Sequence, residues 1–180
     1  NVEAVVFDID DVVEGQADLK NLTLNTKDMG ARVQQIIFNF EDNSDFVVIS
    51  DRSDLSNFST IEVQKGTADL TQVKVNDGAE FVVNSGVVLT FDQFQALASL
   101  SSTTGLGRLT IRVDSDEQVS QIQEILEGKV LIGFGEGEPG EINNITIESS
   151  TGDELDAAGV EAAIDVIRQA SSPSLFKLGA

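Results

Sequence analysis

A mainly β fold is predicted, either an irregular β-solenoid or a β-sandwich, with two or three short helices and the helical content concentrated towards the C-terminus. Three observations lead there. Short β-branched runs dominate the chain, and many alternate apolar with polar residues, as in Thr60-Ile61-Glu62-Val63 and Arg108-Leu109-Thr110-Ile111-Arg112-Val113. Asn, Asp, Gly and Ser fill the gaps and supply turn chemistry, as in Asn76-Asp77-Gly78. Helical periodicity is confined to three segments.

Taken in order, the expected strands are Val5–Phe7, Leu22–Leu24, Ile36–Phe40, Phe46–Ile49, Ile61–Val63, Val73–Val75, Phe81–Val83, Val87–Leu89, Leu109–Val113, Val130–Ile132 and Ile145–Ile147. The first expected helix is Phe91–Leu100, capped by Thr90, with Phe91, Phe94, Leu97 and Ala98 on one face. The second is Asp116–Glu127, capped by Ser115 and stopped by Gly128. The third is Leu155–Ala170, where Thr151 and Glu154 make a capping-box pattern.

A loose echo runs through the middle. Asp54-Leu55-Ser56-Asn57-Phe58-Ser59-Thr60-Ile61-Glu62-Val63 is followed by Ala68-Asp69-Leu70-Thr71-Gln72-Val73-Lys74-Val75. Stacked units of this kind build solenoids, but the apolar clusters are unevenly spaced, so a sandwich stays open. The expected division is a β-rich domain over 1–113, with 1–40 as a separable N-terminal element. A mixed α/β subdomain follows over 114–172, then a tail over 173–180.

Composition narrows the chemistry. A net charge of −20 repels nucleic acid and anionic membranes and favours cations. Without Cys or His there is no thiolate, no Ser-His-Asp triad and no imidazole ligand. Without Trp or Tyr, the aromatic walls usual in carbohydrate and small-molecule pockets are missing. No apolar run approaches the roughly 18 residues that a bilayer span needs, so no membrane insertion is expected. No signal peptide is visible in a chain that begins at Asn1, which reads as a processed form or an excised fragment.

Carboxylates cluster at strand ends. Asp8, Asp10, Asp11 and Glu14 form one group. Glu41, Asp42, Asn43 and Asp45 form a second, followed by Asp51 and Asp54. Asp114, Asp116 and Glu117 make a third, and Glu136, Glu138 and Glu141 a fourth. Calcium takes six to eight oxygens from carboxylates, Asn and loop carbonyls. Asp8, Asp10, Asp11, Glu41, Asp42, Asp45, Asp114 and Asp116 are therefore the candidate ligands, with calcium the expected cofactor; the bland alternative is a solvated acidic surface. Asn21-Leu22-Thr23, Asn57-Phe58-Ser59 and Asn144-Ile145-Thr146 fit the glycosylation sequon. Gly133-Phe134-Gly135-Glu136-Gly137 reads as a hairpin or bulge rather than a phosphate loop.

Glu3-Ala4-Val5-Val6-Phe7-Asp8-Ile9-Asp10-Asp11-Val12-Val13 resembles the first motif of haloacid-dehalogenase-type phosphatases. That resemblance implies a magnesium-dependent phosphatase in which Asp8 is the nucleophile and Asp10 the acid/base. Phe46–Ser50 resembles the family's second motif, and Gly152-Asp153-Glu154-Leu155-Asp156 echoes its acidic metal motif. The family alternates strands and helices around a parallel sheet, whereas here strand follows strand from 36 to 89.

A second resemblance covers Asp45 to Val113. Asp54-Leu55-Ser56-Asn57-Phe58-Ser59-Thr60-Ile61-Glu62-Val63, Gly66-Thr67-Ala68-Asp69-Leu70-Thr71 and Val87-Val88-Leu89-Thr90-Phe91-Asp92-Gln93-Phe94-Gln95-Ala96-Leu97 are similar to repeat regions of bacterial surface proteins, S-layer proteins and type-I-secreted adhesins. It implies export, a calcium-stabilised β architecture, and self-association or adhesion. The reading is thus a non-catalytic structural or adhesive module, extracellular or at the cell surface, whose partner is another copy or another surface protein. Arg108–Val113 is the candidate edge strand. Its two arginines would meet either the carboxylates of a neighbour or those of their own molecule.

Overall fold

Alternation gives each strand one apolar face, and two such faces bury each other. In the computed structural model, which describes residues 4–9, 16–17, 34–104, 106–126, 129–132 and 145–171, they do so as a β-solenoid. In chain order the strands are β1 (Ala4–Ile9), β2 (Gln16–Ala17), β3 (Gln35–Phe40), β4 (Phe46–Ile49), β5 (Asp54–Leu55), β6 (Thr60–Lys65) and β7 (Thr67–Asp69). They continue as β8 (Lys74–Val75), β9 (Glu80–Val83), β10 (Gly86–Thr90), β11 (Ser99–Ser101), β12 (Arg108–Val113), β13 (Val130–Ile132) and β14 (Ile145–Ser149). The helices are α1 (Phe91–Ala96), α2 (Asp116–Ser120), α3 (Ile122–Ile125) and α4 (Ala157–Ser171).

One sheet runs β1-β3-β6-β9-β11-β13 and the other β14-β12-β10-β7-β4-β2. Every pairing among the described residues is parallel. Each coil supplies one strand to each sheet and then returns along a third side. On that side β5 pairs with β8, and the next coils place α1 and then α2–α3 there. Stacking in register turns alternation into columns. Ile36, Ile61, Phe81, Leu100 and Leu131 form one buried column of the first sheet. Val47, Ala68, Val87, Leu109 and Ile145 form its counterpart in the second. The mainly β, solenoid expectation holds, and both sheets run on through β13 and β14.

The coils are uneven. From Thr60 to its partner Glu80 the chain advances 20 residues, and from Glu80 to Ser99 it advances 19. From Ser99 to Val130 it advances 31, because α2 and α3 lie in that coil. The echo between residues 54–63 and 68–75 is not the coil period, since Asp54 pairs with Lys74 and Ile61 with Phe81. Its source is shared turn chemistry. Asp54 Oδ1 accepts from the Ser56 amide and hydroxyl at 2.9 and 2.5 Å, and Asp69 Oδ1 accepts from those of Thr71 at 3.0 and 2.6 Å.

All three helices differ from expectation in where they start, break or stop, and two of the expected caps are replaced. The first helix stops at Ala96, because Ser99–Ser101 pairs between β9 and β13. Lys129 Nζ donates to the carbonyls of Gln95 and Leu97 at 2.6 and 2.5 Å and so closes that end. The second helix is broken at Gln121 into α2 and α3, and Ser115 makes no side-chain cap bond. In its place Gln118 Oε1 accepts from the Asp114 amide at 2.6 Å. The third starts at Ala157, and Asp156 caps it, with Oδ2 3.2 Å from the Gly159 amide. Thr151 bonds Asp153 instead. The expected strand at 22–24 and the stop at Gly128 lie outside the described residues.

At the start of α1, Thr90 and Gln93 form the reciprocal box, at 3.0 and 3.1 Å. Gln93 also donates to the carbonyls of Leu70 and Val73 at 2.6 and 2.9 Å, fastening α1 to the preceding coil. Gln93→Ala removes all three side-chain bonds and leaves two carbonyls short of a donor. A loss of about 2 kcal/mol is expected in denaturant titration. Gln93→Glu should lose most of this too, since a carboxylate cannot donate.

Candidate functional site

The outward face of the second sheet carries a polar arrangement set by register. Thr90, Arg112 and Glu148 lie in one row across β10, β12 and β14. Arg112 Nε donates to Glu148 Oε1 at 2.8 Å. Its Nη1 reaches past β10 to Asp69 Oδ2 on β7 at 2.9 Å and to Thr71 Oγ1 at 3.3 Å. A second bridge runs parallel to it. Arg108 Nη2 passes Gly86 to reach Thr67 Oγ1 and the Asn43 carbonyl, both at 3.3 Å. Any side chain at Gly86 would collide here, since a Cβ would sit 2.2 Å from Thr67 Oγ1. Val88 lies between the two crossings and is only 2% exposed, although it points away from the core.

The electrostatics follow from this arrangement. Burial works against the Arg112 charge, but its bond to Glu148 and the nearby Asp69 carboxylate more than offset it. Its pKa therefore lies above the ordinary arginine value. Burial pushes the Lys129 amine below its ordinary range. The Ser56 hydroxyl and amide, helped by Lys74, hold the Asp54 carboxyl below its ordinary value against a small opposing effect of burial. Every buried side-chain nitrogen and oxygen among the described residues has a hydrogen-bond partner. A recess of about 180 Å³ opens between β8 and α1, with Lys74, Asn76, Asp77, Phe81, Asp92 and Gln93 among its lining.

The predicted ligands that the structure describes fall in three places. Asp8 is on β1, paired with Asn39. Asp10, Asp11, Glu14, Glu136, Glu138 and Glu141 lie outside the described residues. Glu41, Asp42 and Asp45 share the loop between β3 and β4, but two cations occupy that loop. Lys65 Nζ donates to the Glu41 carbonyl, and Arg108 to that of Asn43. The Asp45 carboxylate accepts from the Asp42 amide at 2.7 Å, and the Asp45 carbonyl from the Thr67 amide at 2.7 Å. Asp114 accepts from the Ser150 hydroxyl, and Asp116 Oδ1 from the Asp156 amide at 2.9 Å. These carboxylates tie turns and helix starts. Among the described residues no group of three or more acidic side chains is placed to hold a metal ion.

One sequence reading needs correction. Arg108–Val113 is not an edge, because β12 lies between β10 and β14. Its Arg112 meets carboxylates of its own molecule. As the strand-after-strand reading expected, the described residues form two stacked parallel sheets, with β1 at the end of one, and not the strand–helix alternation that the phosphatase resemblance implies. The sequence reading did not single out Asp69, Gln93, Lys129 or Glu148. Asp69 carried one usable signal, a carboxylate set directly between the apolar Ala68 and Leu70.

No protein-family model, curated protein or solved structure matches this chain. No helix among the described residues is long and apolar enough to cross a membrane.

Proposed function

We propose that this chain is a non-catalytic structural or adhesive module of a secreted or cell-surface protein, acting by self-assembly or by binding another surface protein, with calcium stabilisation. The observation that carries the reading is the outward face just described. Its arginines and buried carboxylate are spent on stapling strands to one another, which suits a rigid spacer more than a reactive centre. The stacked columns support the same reading, since a solenoid presents long, regular sides on which copies or partners can align.

Charge gives the proposal its condition. At −20, two copies repel unless cations lie between them. Calcium can bridge carboxylates from two surfaces, so a metal ion need not find a complete cage on one molecule. Static light scattering over a calcium titration tests the assembly, with rising mass expected. Melting in millimolar calcium against EDTA, at matched ionic strength, tests the stabilisation. A ligand at a hundredfold excess over Kd, bound to the folded state alone, adds about 2.7 kcal/mol. A strict monomer and equal melting temperatures would together overturn the proposal.

A further inference from the structure

Helix α4 lies beside the last described coil of the stack. It packs against β13 and β14, the last strands of the two sheets, and against α2 and α3. Its Ala163 and Ile167 are buried in the cluster that contains Leu131 and Ile147, and Val160, Ile164 and Ala170 pack against that cluster. Glu161, Asp165 and Gln169 stay exposed. Its start is tethered to α2, because the Asp156 amide donates to Asp116 Oδ1. Among the described residues, β13 and β14 each pair with a strand on one side only.

A parallel strand with an open side is a template for the next coil, at the usual spacing of about 4.8 Å. The opposite end of the same sheet is β1, a six-residue strand that pairs with β3 alone among the described residues. A second copy arriving head to tail could set its β1 beside β13 in the same parallel sense, and that contact is open-ended.

We propose that α4 is an autoinhibitory cap that denies the terminal coil to a second copy of this chain. Docked, it covers the ends of both sheets. Released, it leaves β13 and β14 free for strand addition by the β1 end of another molecule. The proposal deepens the assembly reading, but the two fail separately: calcium titration of the unaltered chain tests association side to side through the acidic faces, and release of α4, at one fixed calcium concentration, tests addition at the ends.

The test uses the full chain carrying Ile167→Asp, which places a carboxylate at a fully buried position. Amide exchange along α4 should accelerate while the strand amides stay protected and the β circular dichroism is retained. Mass by light scattering should climb from the 19.2 kDa of one chain to a concentration-dependent series. Asp116→Ala, which removes the tether and leaves the core intact, should give faster α4 exchange and a smaller rise in mass. Faster α4 exchange with the mass fixed at one chain, in either variant, overturns the proposal. So does loss of the β spectrum in Ile167→Asp with no change of α4 exchange in Asp116→Ala, because α4 would then be part of the core and not a removable cap.

Discussion

Phe81→Ala is expected to lower stability by about 3–5 kcal/mol, the usual range for emptying a phenylalanine site in a core. Phe81 is 2% exposed and sits mid-column in β9, between Ile61 and Leu100. Collapse around the gap is restricted. The backbones above and below are held at fixed spacing by ladder hydrogen bonds, so neighbours cannot close in along the stack without breaking pairing. Solvent reaches one side through the recess beside β8, which argues for the lower half of the range. Denaturant titration should show the midpoint fall with the slope unchanged. Phe81→Leu, which keeps most of the volume, should cost about 1 kcal/mol. An alanine variant within 1 kcal/mol of the parent would contradict the buried column.

Arg112→Met should cost about 3 kcal/mol. The methionine keeps much of the stem but strands Asp69, whose side chain is 3% exposed, as a buried carboxylate with no cation. The figure sits at the lower end for a broken buried pair for two reasons. The Arg112 side chain is itself 31% exposed, and Thr71 continues to donate to Asp69. Adding Asp69→Asn to Arg112→Met removes the orphaned charge and should recover more than half of the loss. Glu148→Gln, at the exposed arm of the same bridge, should change stability by less than about 1 kcal/mol. Thermal melts of these three variants and of Asp69→Asn alone give the coupling directly. Equal costs for losing Asp69 and Glu148 would show that burial does not set the difference.

The sequence revealed the strands that carry β-branched or apolar runs and hid those that do not. Leu109–Val113 and Ile36–Phe40 announce themselves by β-branching and period. Ser99–Ser101 reads as the tail of a helix because Phe91, Phe94 and Leu97 keep helical spacing up to it; only its place between β9 and β13 makes it a strand. Thr67–Asp69 gives no strand signal, because it has no apolar β-branched residue, follows Gly66 and ends in Asp69. Gly66 does turn the corner, at φ +74°, with Phe40 so close that a Cβ would lie 2.6 Å from its ring. The arginine bridges were half legible. Alternation puts Arg108 and Arg112 on the outward face, but which carboxylate each meets depends on the order of strands. That order comes from coil stacking, which uneven coil lengths conceal. The acidity of the loop at 41–45 is legible, but its partners Lys65 and Arg108 are not, because they are distant in sequence and only strand order brings them to its carbonyls.

The third side of the solenoid carries a short strand pair, then one helix, then two, while the two sheets beside it keep their register. Length can therefore vary there without a slip in the sheets, because lengthening a surface connection carries a closure cost that grows only logarithmically. Related chains would be expected to differ most along this side, in size and in charge. It is the part of the molecule where new recognition could be acquired by insertion while the columns behind it stay unchanged.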